Sequence, residues 1–213
     1  MRLSIVALGD VHAEDLQPLT TRFEHIEQLV LDIPPRDELA KHRPEFNRAV
    51  DAASADWVLI VREREIVDDA LAQEIFEAAG AAKARGFRIR STPWYAGRPL
   101  RLWREEGEIR LFHRRNYIRF ANKGEWEEIL VQGTVVRLAH ELRSVTFATS
   151  AEHRQHLATL GVRHSLLRRV LQFLVYLAGV RVLDGNTLRY LWIEAGFGGA
   201  PPASRGVETP RPR

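Results

Sequence analysis

Residues 3–8 (LSIVAL) form a short, nearly continuous apolar run that stops at Gly9-Asp10. Such a run suits a strand buried on both faces, as in a parallel sheet. Over 15–26 the apolar residues Leu16, Leu19, Phe23 and Ile26 recur at helical intervals, and Pro18 fits the first turn of a helix. Residues 26–33 (IEQLVLDI) predict a second strand, ended by Pro34-Pro35. Residues 36–53 predict a second helix, broken at Pro44, and 56–61 (DWVLIV) a third buried strand. The segment 67–85 predicts a strong helix: Asp68 and Asp69 at its start, alanines within, basic residues at its end, and Gly86 to stop it. Strand-then-helix units in succession imply a parallel, right-handed, doubly wound half.

The pattern then changes. Residues 87–90, 109–112 and 117–120 alternate, and 129–136 and 145–147 also read as extended, which predicts antiparallel or mixed strands joined by long connections. From Ser150 the chain turns helical again. The stretch 198–213 is rich in Pro, Gly and Arg and is expected to be disordered. The fold class is therefore α/β: one domain over 1–197, with a first half at 1–86, a mixed half at 87–149 and C-terminal helices at 150–197.

Composition narrows this picture. With 45% hydrophobic and 28% charged residues in 213, the chain can bury a real core. It contains no cysteine, so disulfides and thiolate metal sites are excluded. The apolar run at the N-terminus is too short for a signal peptide. The longest apolar stretch, 170–180, is interrupted by Gln172 and falls well below the roughly 20 residues that span a bilayer. A cytoplasmic protein is expected. The formal charge of +3 comes with an excess of arginine, whose planar fork favours phosphate. No nucleic-acid recognition motif is present, and the aromatics do not interleave with a basic stripe, so no nucleic-acid partner is expected.

Several segments carry a family resemblance. Residues 52–71 (AASADWVLIVREREIVDDAL) resemble the family 2 glycosyltransferase stretch Ala-x-Gly-Asp-Trp-Val-Leu-x-Leu-Asp-Ala-Asp-Glu-x-Val. Residues 94–102 (WYAGRPLRL) and 108–120 (EIRLFHRRNYIRF) are similar to segments of the bacterial lipopolysaccharide-core and capsule branch of that family, as is the Asp184-Gly185 turn. The resemblance runs over about 3–197. It implies a GT-A fold, a Rossmann-like sheet that binds a nucleotide diphosphate sugar, with an acceptor half and C-terminal helices after it.

The resemblance also marks departures. The family ends its third strand in Asp-x-Asp, whose carboxylates hold a divalent metal against the diphosphate. The matching positions here are Arg62 and Arg64, and only Glu65, the next residue of the pattern, is kept. Guanidinium groups cannot bind Mg²⁺ or Mn²⁺, so no metal and no other cofactor is expected. The arginines either clamp the diphosphate directly or pair with carboxylates such as Glu63 or Asp69. Asp32 and Asp37 keep the spacing of two family aspartates that serve the nucleoside; they suit equally a strand-end turn and a helix cap. Asn47 matches the Asn of an Arg-Asn pair whose Arg position is Phe46. His12 and Glu14 are the polar candidates of the first loop. The family's general base is an Asp or Glu of the acceptor half, and the candidates here are Glu105, Glu106 and Glu108. Glu128 is kept from a Val-His-Glu stretch, while a later family histidine falls at Ser144. Trp94, Trp103 and Trp126 suit sugar stacking or the core.

Two functions follow from these residues. One is a nucleotide-sugar-dependent transfer, without a divalent metal, to a lipid-linked or polysaccharide acceptor. The other is an inactive pseudo-glycosyltransferase that serves as a binding or scaffold subunit. The segment 165–182 (SLLRRVLQFLVYLAGVRV) has an apolar face with Arg168, Arg169 and Arg181. It fits an anionic membrane surface, which would make the protein peripheral on the inner face of the membrane, or else a packed helix or a protein partner.

Overall fold

The computed structural model describes residues 1–33, 39–81, 83–100, 107–123, 126–159, 170–171, 173–174 and 184–195, with backbone alone at 39–40, 120–123 and 126–128. The chain divides into two compact units, Met1–Pro93 with Glu105–Thr146, and Trp94–Arg104 with Phe147–Arg213.

The first unit is built on the parallel strands β1 (Arg2–Leu8), β2 (His25–Leu31) and β3 (Trp57–Arg62), with β1 hydrogen-bonded between the other two. Alternate residues of β1 and β3 go to opposite faces. Leu3, Ile5, Ala7, Trp57, Leu59 and Val61 pack on one side with Leu71, Ala72 and Ile75, whereas Val6, Leu8, Val58 and Ile60 pack on the other with Phe46, Ala49 and Val50. Helices on both faces explain why these strands read as unbroken apolar runs rather than alternating ones. Ser4 is the exception in β1, and it is satisfied: its hydroxyl donates to Glu27 at 2.7 Å and accepts from the Ala55 N–H at 3.0 Å.

The helices are α1 (Gln17–Thr20), α2 (Arg43–Ala52) and α3 (Asp69–Ala81). The helix expected over 15–26 is not formed. A 3-10 turn at Ala13–Leu16 leads into the single turn α1, and the chain leaves it because Thr20 and Thr21 donate their hydroxyls back to the Gln17 and Pro18 carbonyls. Leu16, Leu19 and Phe23 still reach the core, so their spacing reports a folded loop packed on α3, and Ile26 belongs to β2. A 3-10 turn at Leu39–His42 precedes α2, so the break expected at Pro44 falls at the junction of the two, and Pro44 sits in the first turn of α2, where a missing N–H costs nothing. The start of α3 is fixed by Asp68, whose carboxylate accepts the Leu71 N–H at 2.9 Å.

The mixed half follows with β4 (Glu65–Ile66), β5 (Gly86–Tyr95), β6 (Arg98–Pro99), β7 (Glu108–His113), β8 (Tyr117–Lys123), β9 (Trp126–Val131) and β10 (Val135–Phe147). The sheet order is β2-β1-β3-β7-β5-β10-β4, and β7 runs antiparallel to both β3 and β5. The single strand expected over 129–136 is divided by a turn at Gly133, whose φ of 115° favours glycine. Strand β4 covers only Arg143 and Ser144 of β10. Further along β10, Glu74 of α3 accepts the Ala139 and His140 N–H groups at 2.7 and 2.8 Å, so a side chain satisfies these two backbone donors. The result is an α/β fold with a Rossmann-like half and a mixed half, as the pattern of the sequence implied.

In the second unit β6 pairs with the last residues of β5, and α4 (Ser150–Thr159) and α5 (Gly185–Glu194) follow. His153 is fully buried there. Its ring stacks on Phe147 (4.4 Å between centroids) and Tyr190 (5.1 Å), and its Nε2 lies 2.7 Å from Glu194. Asp184 caps α5 by accepting the Thr187 N–H. The segment 165–182 and the tail 198–213 lie largely or wholly outside the described residues. Among the described residues no helix is long and apolar enough to cross a membrane.

Leu59 is fully buried in β3, while Val30 on the edge strand β2 is 63% exposed. Leu59→Ala is therefore expected to lower unfolding free energy by about 2–5 kcal/mol in urea denaturation, and Val30→Ala by under about 0.5 kcal/mol.

Candidate functional site

The carboxyl ends of the parallel strands are where ligands sit in open α/β sheets. Here those ends are tied together by backbone. The Gly9 N–H donates to Leu31 at 2.8 Å, and the Glu63 N–H donates to Leu8 at 2.8 Å. Gly9 has a φ of 82°, and a Cβ on it would lie 3.0 Å from a Glu63 carboxylate oxygen, so this close junction requires glycine. Arg64 lies in the turn between β3 and β4, with a φ of 63°, an uncommon conformation for a residue with a side chain.

The turn is held by Glu65. Its carboxylate accepts the Arg62 N–H at 2.7 Å, the Ser91 hydroxyl at 3.0 Å and the Arg110 guanidinium at 3.2 Å. Glu65 and Arg110 side chains are each only 3% exposed. Arg110 also forms an ion pair with Glu108 at 3.0 Å, and its Nε and Nη1 are buried with no hydrogen-bond partner among the described residues. On the open side, Arg62 donates from Nη2 to both Glu108 oxygens, at 3.0 and 3.3 Å. Glu108 thus lies between two guanidinium groups. Burial raises its carboxyl, but the Arg110 and Arg62 cations and the hydrogen bond from Arg62 outweigh that, so it titrates below its ordinary value.

The β3–β7 pairing, Trp57 with His113 and Leu59 with Leu111, runs the end of β3 alongside the start of β7, where Arg62 meets Glu108. Between β7 and β5 the register shifts, pairing Leu111 with Phe87 but Ile109 with Arg88, so Arg110 is the extra residue of a bulge. The bulge has a visible consequence. Ile109 and Leu111, two apart, pack on opposite faces of the sheet, which strict alternation forbids.

The expected site residues are distributed as follows. Arg62, Glu65 and Glu108 come together. Arg64 does not join them: its Nη1 donates to the Thr146 carbonyl at 3.2 Å and its Nε lies 4.0 Å from Glu63. Asp69 pairs with Arg22 instead. Asp32 is exposed just past β2, and His12 is exposed with its Nδ1 4.0 Å from Asp10. Asn47 accepts a hydrogen bond from the Tyr117 hydroxyl, and the neighbouring Phe46 is fully buried with its edge to Tyr117. That pair joins α2 to β8. Ser144 lies on β10 opposite Glu65, and Glu128 on β9 opposite Ala121. Asp37, Glu105, Glu106 and Trp103 lie outside the described residues.

Arg110 and Ser91 were not among the expected residues. The signal for Arg110 was present: an arginine between Ile109 and Leu111 in an otherwise apolar strand is charged where burial is expected. Arg62 and Arg64 are cations and offer no metal ligand, and Glu65 already accepts from three donors. Among the described residues, no three His, Asp or Glu side chains gather as a metal-binding group.

No protein-family model matches the chain, and no curated protein matches its sequence. Among solved structures, it is similar to TarS 1–349 of S. aureus in complex with UDP-GlcNAc, at 10% identity and a TM-score of 0.43, over 93% of this chain and 73% of that one. A second structure of TarS 1–349 gives 10% identity and a TM-score of 0.39, over 93% and 72%. A likeness this distant assigns no activity.

Two outcomes follow from the ion network. Removing the Glu65 charge leaves Arg110 buried with only half-exposed Glu108 beside it, so Glu65→Gln is expected to cost about 3 kcal/mol in urea denaturation. Glu108 titrates lower when folded than when unfolded, so its contribution to stability is complete above its ordinary value of 4.5 and is lost as pH falls through the lowered value. Denaturation midpoints followed from neutral pH to about pH 3 should fall more steeply in the wild type than in Glu108→Gln.

Proposed function

We propose that this chain is a glycosyltransferase-like protein of the family 2 type that binds the diphosphate of a nucleotide sugar through Arg62, without a divalent metal. The observation that carries the reading is the position of Arg62. It ends a parallel strand at the carboxyl edge of a Rossmann-like half-sheet, where the resembling family places its metal ligands, and its side chain is 44% exposed there. A guanidinium at that position supplies positive charge directly, through charge-assisted bonds to phosphate. Asp32, exposed past β2 on the far side of β1, is the candidate for the nucleoside. The acceptor in this reading is lipid-linked or polysaccharide, and the apolar face of 165–182 would bring the protein to it at a membrane surface.

A second reading, a binding or scaffold subunit that performs no transfer, is favoured by one observation. Glu108 is the described candidate base, and it is held by two arginines with its carboxyl lowered, which makes it a weak proton acceptor near neutral pH. Both readings share the donor site, and they part at chemistry.

Titration calorimetry with UDP-GlcNAc, UDP and GDP, with and without Mn²⁺, tests the shared step. The expected result is binding on the order of micromolar that is indifferent to the metal, weakened roughly tenfold or more in Arg62→Ala. Absence of heat with every nucleotide, from folded protein, overturns the reading.

A further inference from the structure

We infer that Arg62 and Arg110 form one anion site and that Glu108 occupies it in cis, so that a diphosphate enters only by displacing this carboxylate. The inference rests on the reading of Arg62 as an anion ligand and changes its partner. Arg64 donates to the Thr146 carbonyl, whereas Arg62 donates to Glu108 at 3.0 Å and Arg110 forms an ion pair with the same carboxylate at 3.0 Å. A carboxylate set between two guanidiniums marks a position where an anion is stabilised by two cations.

Three features separate this arrangement from an ordinary surface ion pair. Arg110 is fixed: the bulge aims it, Glu65 anchors it, and its side chain is 97% removed from solvent. Its Nε and Nη1 are buried without a partner among the described residues, so the cation keeps donor capacity that Glu65 and Glu108 do not use. Glu108, by contrast, is 56% exposed and sits at the first residue of β7, beside Gly107 with its φ of 86°. Arg110 is therefore held in place, and the carboxylate is free to leave it. Phosphate oxygens offer the same acceptor chemistry with more charge, and a diphosphate can meet both guanidiniums at once. Glu108 then acts as a competitor for its own site. It keeps Arg62 positioned while no ligand is bound, and it sets a threshold of affinity that a weaker anion does not pass.

The test measures the affinity of inorganic pyrophosphate by calorimetry for the wild type, Glu108→Gln, and the double variant Glu108→Gln/Arg62→Gln. Glu108→Ala serves the same purpose if the glutamine variant does not fold. Glu77→Gln makes the same change of charge on the exposed face of α3. The expected result is about fivefold or tighter binding in Glu108→Gln, lost in the double variant, with Glu77→Gln at the wild-type value. Unchanged or weaker binding in Glu108→Gln, or an equal gain in Glu77→Gln, overturns the inference. UDP-GlcNAc titrated in parallel separates the two readings. A gain for pyrophosphate with no nucleotide binding leaves this inference standing and removes the proposed function, whereas wild-type nucleotide binding without the gain does the reverse.

Discussion

The arrangement at the carboxyl edge of the sheet depends on one buried ion pair, Arg110 with Glu65. An arginine stripped of water is tolerated only beside a carboxylate that is itself hydrogen-bonded, and Glu65 meets that condition by accepting from Ser91 and from the Arg62 backbone as well. The pair, with these two bonds, couples β7, β4, β3 and, through Ser91, β5. Strand β7 supplies the cation, β4 the anion, and the end of β3 is turned so that its N–H faces the carboxylate. The turn at Arg64 follows from this: Glu65 must fold back onto Arg62, three residues earlier, and a left-handed residue between them lets the chain do so. A site built on such a pair is rigid on the Arg110 side and adjustable only on the Glu108 side.

Much of the architecture was legible in the sequence. The strands of the parallel half could be read because burial on both faces leaves unbroken apolar runs, such as 3–8 and 56–61, bounded by polar turns. What misled was apolar spacing in a loop. Leu16, Leu19 and Phe23 lie at helical intervals, yet two threonines bond back to the chain and end the helix after one turn. Periodicity records which side chains reach the core, and it does not by itself record the backbone between them.

The candidate site was legible in part, for the same physical reason. Arg62, Glu65 and Glu108 stand out because charge at the end of an apolar strand, or at its start, is conspicuous in one dimension. That Arg62 meets Glu108 and not Arg64 depends on strand register, which joins residues 46 apart and cannot be seen locally. Arg110 was harder still. Its inward aim comes from a bulge, a single extra residue whose signature in sequence is no more than an arginine flanked by Ile109 and Leu111.

The order of events at this site follows from its charges. In the proposed site an arriving anion competes with Glu108 for the two cations, because the carboxylate accepts from Arg62 and lies 3.0 Å from Arg110. In the proposed site, a displaced Glu108 would lose the two cations and the Arg62 hydrogen bond that lower its titration. A group that is a weak base beside these cations would become a stronger one when a ligand takes its place. If chemistry occurs here, the same carboxylate that excludes weak anions is prepared as a proton acceptor by the binding of the right one. Binding and base strength would then be linked through a single residue, so the scaffold and transferase readings differ only in what lies beyond Glu108 once it has moved.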